Sequence, residues 1–205
     1  MKKIVVIILT VSVIVGILLL VFRKSPTITN HPAQGKTIVA FGDSLVEGVG
    51  STGRGDFPTL LSRAIGEPIL NYGVAGNTTR DGLERIDEVN AEDPKIVLLL
   101  LGGNDFLRKI PVEETFKNLG EIIDRIQAEG AVVILLGVRG GFLSDSFEKH
   151  FENLAETKGT FYVSNVLAGL LTKPELMEDS IHPNNAGYQK IADRILPVLE
   201  KALGK

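Results

Sequence analysis

From residue 37 onward, short apolar runs alternate with amphipathic stretches, and few folds accept that pattern. The runs cover residues 37–41, 68–72, 95–101, 131–137 and 160–163. The third contains Ile96-Val97-Leu98-Leu99-Leu100-Leu101. It is apolar without alternation, which suits a strand covered on both faces. Amphipathic stretches lie at 56–65, 79–90, 112–129 and 144–158. In the third of these, Phe116, Leu119, Ile122, Ile123 and Ile126 share one helical face, and Gly130 ends it. A last helix, 185–203, places Ile191, Ile195, Val198, Leu199 and Ala202 on one side. Strand and helix in alternation imply an α/β domain with a parallel, right-handed, doubly wound sheet. Its site lies at the carboxyl ends of the strands.

The N-terminus reads differently. Lys2 and Lys3 precede residues 4–22, which are apolar apart from Thr10, Ser12 and Gly16; Arg23 and Lys24 follow. At 1.5 Å per residue, such a helix spans roughly the 30 Å hydrocarbon core of a bilayer. The run ends in Leu18-Leu19-Leu20-Val21-Phe22 and then charge, with no Ala-x-Ala cleavage site. The expectation is one N-terminal hydrophobic helix, residues 1–24, anchoring the chain in a membrane with the domain outside the cytoplasm. Cleavage as a signal sequence, releasing a secreted protein, is the alternative. Residues 25–36, with two prolines and a glycine, read as a linker. The domain then occupies 37–205.

Composition excludes several classes of function. The 205 residues carry a formal charge of −3, no electrostatic footprint for nucleic acid. There is no cysteine, so thiolate catalysis and disulfides are out. The three histidines, His31, His150 and His182, make a multi-histidine zinc site a poor reading, and no metal is expected.

Four segments fall where such a fold places ligands: Gly42-Asp43-Ser44-Leu45, Asn71 to Asn77, Gly102-Gly103-Asn104-Asp105, and Asp179-Ser180-Ile181-His182-Pro183. Ser44, just past a short β-branched run, stands where an α/β sheet exposes a nucleophile. His182 supplies a base, and Asp179 a carboxylate to orient it. Glycines at 73 and 76 let the backbone turn and present a bare N–H. Asn104 offers a side-chain amide. Asp43 is read as a holder of the nucleophile loop, and Asp105 as structural. Bland alternatives exist for single residues: Ser44 as a helix cap, or Asn104 as the cap of the next turn. The Gly-x-Gly-x-x-Gly spacing at 48–53 reads as a flexible rim of the site. Asn77-Thr78-Thr79 is a chance glycosylation match, because it sits among these segments.

In their order and wording these segments resemble the GDSL esterases and lipases, also called SGNH hydrolases. The resemblance covers the domain from Thr37 to the C-terminal helix. It implies a flavodoxin-like three-layer α/β/α sandwich with a five-stranded parallel sheet, strand order 2-1-3-4-5, and no cofactor. It implies Ser44, Asp179 and His182 as the catalytic residues. The oxyanion hole would comprise the backbone N–H groups of Ser44 and Gly76 and the side chain of Asn104. Residues 101–108 and 173–183 are similar to the bacterial thioesterase I, lysophospholipase L1 and arylesterase group. The expected activity is hydrolysis of fatty acyl esters, lysophospholipids, thioesters or aryl esters through an acyl-serine. Carbohydrate O-acetyl esters, or a non-catalytic surface binding module, are the alternatives. The loop 138–147 departs from that group, and there Phe142 and Leu143 are candidate contacts for the acyl chain.

Overall fold

The computed structural model describes residues 27–138 and 145–205. The expected membrane segment, and the candidate contacts Phe142 and Leu143, lie outside the described residues. Strands β1 (Thr37–Gly42), β2 (Ile69–Gly73), β3 (Pro94–Leu100), β4 (Val132–Leu136) and β5 (Phe161–Val163) form one parallel sheet. Its order is β2-β1-β3-β4-β5. Ala40 of β1 lies beside Asn71 on one side and Leu98 on the other, and Gly42 lies beside Gly73 and Leu100. The chain passes from β1 to its neighbour β2, then returns across β1 to β3. The winding direction reverses there, so a crevice opens at the carboxyl ends of β1 and β3.

The helices are α1 (Ser44–Glu47), α2 (Phe57–Ile65), α3 (Thr79–Glu84), α4 (Ile86–Asn90), α5 (Gly103–Leu107), α6 (Val112–Ala128), α7 (Asp145–Lys158) and α8 (Asn185–Ala202). Helices α2 and α8 pack together on one face of the sheet; α3, α6 and α7 pack on the other. The result is a three-layer α/β/α sandwich. Ile96 through Leu101 are fully buried, as a two-faced apolar run requires. Leu119, Ile122, Ile123 and Ile126 of α6 are buried against the sheet, as are Ile191, Ile195, Leu199 and Ala202 of α8. Among the described residues, no helix is long and apolar enough to cross a membrane.

Two stretches differ from the sequence expectation. The helix expected over 79–90 is broken at Arg85, whose φ of −115° and ψ of 13° end α3 and open α4. The Arg85 side chain turns inward at the break, as described below. The described part of the expected linker is not a free spacer. Gln127 and Lys158 carry C-terminal carbonyls of α6 and α7, groups without intrahelical partners. The Asn30 amide donates to Gln127 O at 2.7 Å and Ala131 O at 3.1 Å. The Thr29 hydroxyl donates to Lys158 O at 3.1 Å, and its N–H to Gly159 O at 2.8 Å. Ile28 and Ala33 pack on the core. Polar side chains that read as solvated are the caps of two helices.

Candidate active site

The nucleophile segment is built from its glycines and its acid. A Cβ on Gly73 would lie 2.0 Å from the backbone nitrogen of Glu47, so only glycine lets α1 settle on the end of β2. Asp43 caps α1: its Oδ1 accepts the Leu45 N–H at 3.0 Å. Ser44 follows as the first helical residue, half-buried at the crevice. Asp43 itself is buried, and that burial pushes its carboxyl up to about 7.

His182 arrives on a loop stiffened from both sides. The N–H of Glu178 donates to His182 O at 2.8 Å, and Met177 bridges Pro183 in antiparallel fashion. The Asn184 side chain caps α8 by accepting the Ala186 and Gly187 N–H groups. Within this loop Asp179 Oδ1 accepts the N–H groups of Ile181 at 2.8 Å and His182 at 2.7 Å. Its Oδ2 lies 2.8 Å from His182 Nδ1, and His182 Nε2 lies 3.0 Å from Ser44 Oγ. The bond to the His182 ring, then the two backbone N–H groups, pull the Asp179 carboxyl down to about 2. With Nδ1–H committed to an ionised carboxylate, Nε2 is the ring nitrogen free to accept the serine proton. Ser44, His182 and Asp179 thus form one hydrogen-bonded series 138 residues apart in sequence.

Asn104, in the first turn of α5, donates to Asn77 O at 2.9 Å and lies 3.5 Å from Asp43 Oδ2. Gly76 takes a φ of 82°, a left-handed conformation that suits glycine. Its carbonyl accepts Arg108 Nη2 at 2.8 Å. A cleft of about 150 Å³ is lined by Ser44, Asn104 and His182 at its polar end. Leu45, Phe106, Leu107, Val138, Leu167, Leu171 and Ile181 form its apolar walls. Gly76 is not among the lining residues; it is tied to the site through the Asn77–Asn104 bond.

Three residues at this end were not legible as site residues. Arg85, buried to 14% side-chain exposure, donates through Nε to Asn77 Oδ1 at 2.7 Å. Its Nη2 reaches Gly42 O at 2.9 Å and Tyr72 O at 2.8 Å, and its guanidinium stacks 4.4 Å from the Phe41 ring centre. It clamps β1, β2 and the Asn77 loop together beneath Ser44. Glu47 holds the same loop by accepting the Ala75 N–H at 2.5 Å. Asp105, fully buried, accepts the Thr79 N–H at 2.9 Å and hydroxyl at 2.5 Å, joining α5 to α3. Asp105 is structural, as expected, but its partner was not foreseeable. A single arginine in an amphipathic stretch looks like a solvated residue, so Arg85 left no local signal. The rim at 48–53, expected to be flexible, is pinned: Asn185 bonds Thr52 through its N–H and carbonyl, and the Tyr188 hydroxyl donates to Val49 O at 2.8 Å. No cluster of His, Asp or Glu suited to a metal ion occurs among the described residues.

The chain is similar to known proteins over most of its length. Residues 40–190 match the family model of the GDSL-like Lipase/Acylhydrolase family. An arylesterase of Vibrio mimicus is 32% identical over 178 residues, covering 81% of this chain and 89% of the relative. The thioesterase 1/protease 1/lysophospholipase L1 of Escherichia coli is 28% identical over 175 residues, covering 81% of this chain and 84% of that one. Among solved structures, the psychrotrophic esterase EstA from Pseudoalteromonas superposes with a TM-score of 0.73 at 28% identity, covering 82% of this chain and 99% of that one. The chain therefore belongs to the GDSL-like lipase/acylhydrolase family, and it is a serine hydrolase of carboxylic esters or thioesters.

Proposed function

We propose that Ser44 is the nucleophile, His182 the general base and acid, and Asp179 the carboxylate that orients His182. The observation that carries this reading is the continuous series Asp179 Oδ2–His182–Ser44 Oγ, at 2.8 and 3.0 Å, opening into an apolar cleft. As Ser44 Oγ attacks the acyl carbon, its proton passes to His182 Nε2. The ionised Asp179 stabilises the imidazolium formed. The carbonyl oxygen gains negative charge and takes bonds from the N–H groups of Ser44 and Gly76 and from the Asn104 amide. His182 then returns the proton to the leaving alcohol or thiol, leaving an acyl-Ser44. Water, deprotonated by the same nitrogen, releases the acid and restores the hydroxyl.

The cleft favours an apolar acyl or aryl group. A cavity of about this volume lined by Leu, Ile and Phe admits a six-carbon ring such as benzene. Leu107, Leu167, Leu171 and Ile181 are the contacts we assign to that group, with Phe142 and Leu143 as further candidates. We also read residues 1–24 as an uncleaved anchor that holds the domain, 37–205, outside the cytoplasm. The lysines at 2 and 3 and the apolar run 4–22 support this. Fluorophosphonate labelling tests the mechanism. The native enzyme is expected to be labelled at Ser44, and Ser44→Ala to be unlabelled, inactive and folded. Labelling at another residue, or retained turnover in the variant, overturns the assignment.

A further inference from the structure

The geometry points to an active site turned away from the membrane that holds the chain, so that the enzyme takes its esters from water and not from its own bilayer. This rests on the reading of residues 1–24 as an anchor. The strands are parallel, so the sheet has one end where they all begin and one where they all finish. Ser44 follows the finish of β1, and the cleft is built from segments that follow β3 and β4 and from the His182 loop.

The tether arrives at the other end. Thr27 and Thr29 lie against Gly159, which precedes β5. Asn30 bonds to Ala131, which precedes β4, and the Lys36 N–H bonds to Asp93 O, which precedes β3. The Thr27 carbonyl oxygen sits 2.8 Å from where a Gly159 Cβ would stand, so the chain is already on the domain at Thr27. Only residues 23–26 separate that contact from the apolar run ending at Phe22.

The five Cα–Cα steps from Phe22 to Thr27 reach at most ~18 Å. A domain of this length has a radius of gyration of ~16 Å, or ~40 Å across. However it tilts, the heights of its two ends above the bilayer add up to at least that diameter. With the tethered end held within ~18 Å, the cleft stays at least ~20 Å from the lipid. An acyl ester embedded in the anchoring membrane cannot reach Ser44. The substrate class that fits is an ester dissolved in water, as a monomer or a micelle, or one presented by a facing surface. Phe106, Leu107 and Ile181, exposed at the cleft mouth, are placed to meet it.

The test compares the full chain with a form carrying about 30 Gly/Ser residues between Lys24 and Ser25, a reach that exceeds the domain's diameter. Both are reconstituted in phosphatidylcholine vesicles. One probe is p-nitrophenyl butyrate in the surrounding water. The other is a fluorogenic acyl ester on a lipid confined to the same bilayer as the protein. Equal rates are expected on butyrate, with the native chain at least tenfold slower than the lengthened chain on the membrane ester. Equal rates on the membrane ester, fast or slow, overturn the proposal. Release of the native chain by alkaline carbonate overturns it too, by removing the anchor. Butyrate turnover distinguishes either failure from a failure of the catalytic assignment.

Discussion

Replacing Arg85 with methionine keeps most of the apolar stem and removes the guanidinium donors. Three bonds are lost, to Asn77 Oδ1, Gly42 O and Tyr72 O. Each bond from a charged group is worth about 1.5 kcal/mol or more. The stacking on Phe41 adds about 1 kcal/mol. Two effects offset this. Gly42 O keeps the Val74 N–H at 3.0 Å. Burial, which already lowers the Arg85 pKa, is no longer imposed on a charge. The net loss should be about 2–3 kcal/mol, or roughly 5–10 °C in Tm for a domain of this size. Catalysis should suffer separately. Gly42 lies two residues before Ser44, and Asn77 O holds the Asn104 amide. A small shift of both loops should lower kcat by about tenfold or more, with KM within about twofold. Circular-dichroism melting and p-nitrophenyl ester kinetics read the two effects. Arg85→Lys, which keeps the charge but not the fork, should fall between the native enzyme and Arg85→Met. An unchanged kcat in Arg85→Met refutes the clamp, and a rise in KM alone makes Arg85 a substrate contact.

Asn104→Ala should lower kcat by about 10²-fold with a smaller change in KM, because the oxyanion exists only in the transition state. A rise in KM with kcat held would reassign the amide to ground-state binding. Asp43→Asn probes the buried carboxyl. The folded group ionises near 7, while the unfolded chain ionises near 3.9. Between these values the folded state holds the extra proton, so this group's contribution to stability falls as pH rises and is lowest above 7. Asparagine keeps an oxygen for the Leu45 N–H and cannot ionise. The variant's stability relative to native should therefore rise from pH 5 to pH 8 in urea unfolding, and a difference flat with pH contradicts the burial argument.

Much of the molecule is written locally. Ile96 to Leu101 declare a strand covered on both faces, and Phe116 to Ile126 declare a helix with one buried side. The strand order came with the family resemblance, not from periodicity, since no local pattern says which strand pairs with which. Ser44, Asn104, Asp179 and His182 stood out as candidates because each lies in a short segment that also holds glycine, aspartate or proline. Their meeting depends on the sheet, which carries β1 to the place where the loop before α8 returns. Arg85, Glu47 and Asn30 were not legible as what they are, nor was the partner of Asp105. Each is a polar side chain whose partners, mostly backbone groups, are brought near by the fold, and backbone groups leave no trace in side-chain identity. For the same reason residues 27–36 looked like a solvated linker: the helix ends they cap are about 100 or more residues away along the chain. The sequence alone marked most of the strands and helices and the candidate site residues, because periodicity and turn chemistry act over a few residues. Only the tertiary structure decided which polar groups hold the site together and at which end residues 27–36 meet the sheet, because those bonds join groups that only packing brings within 3 Å.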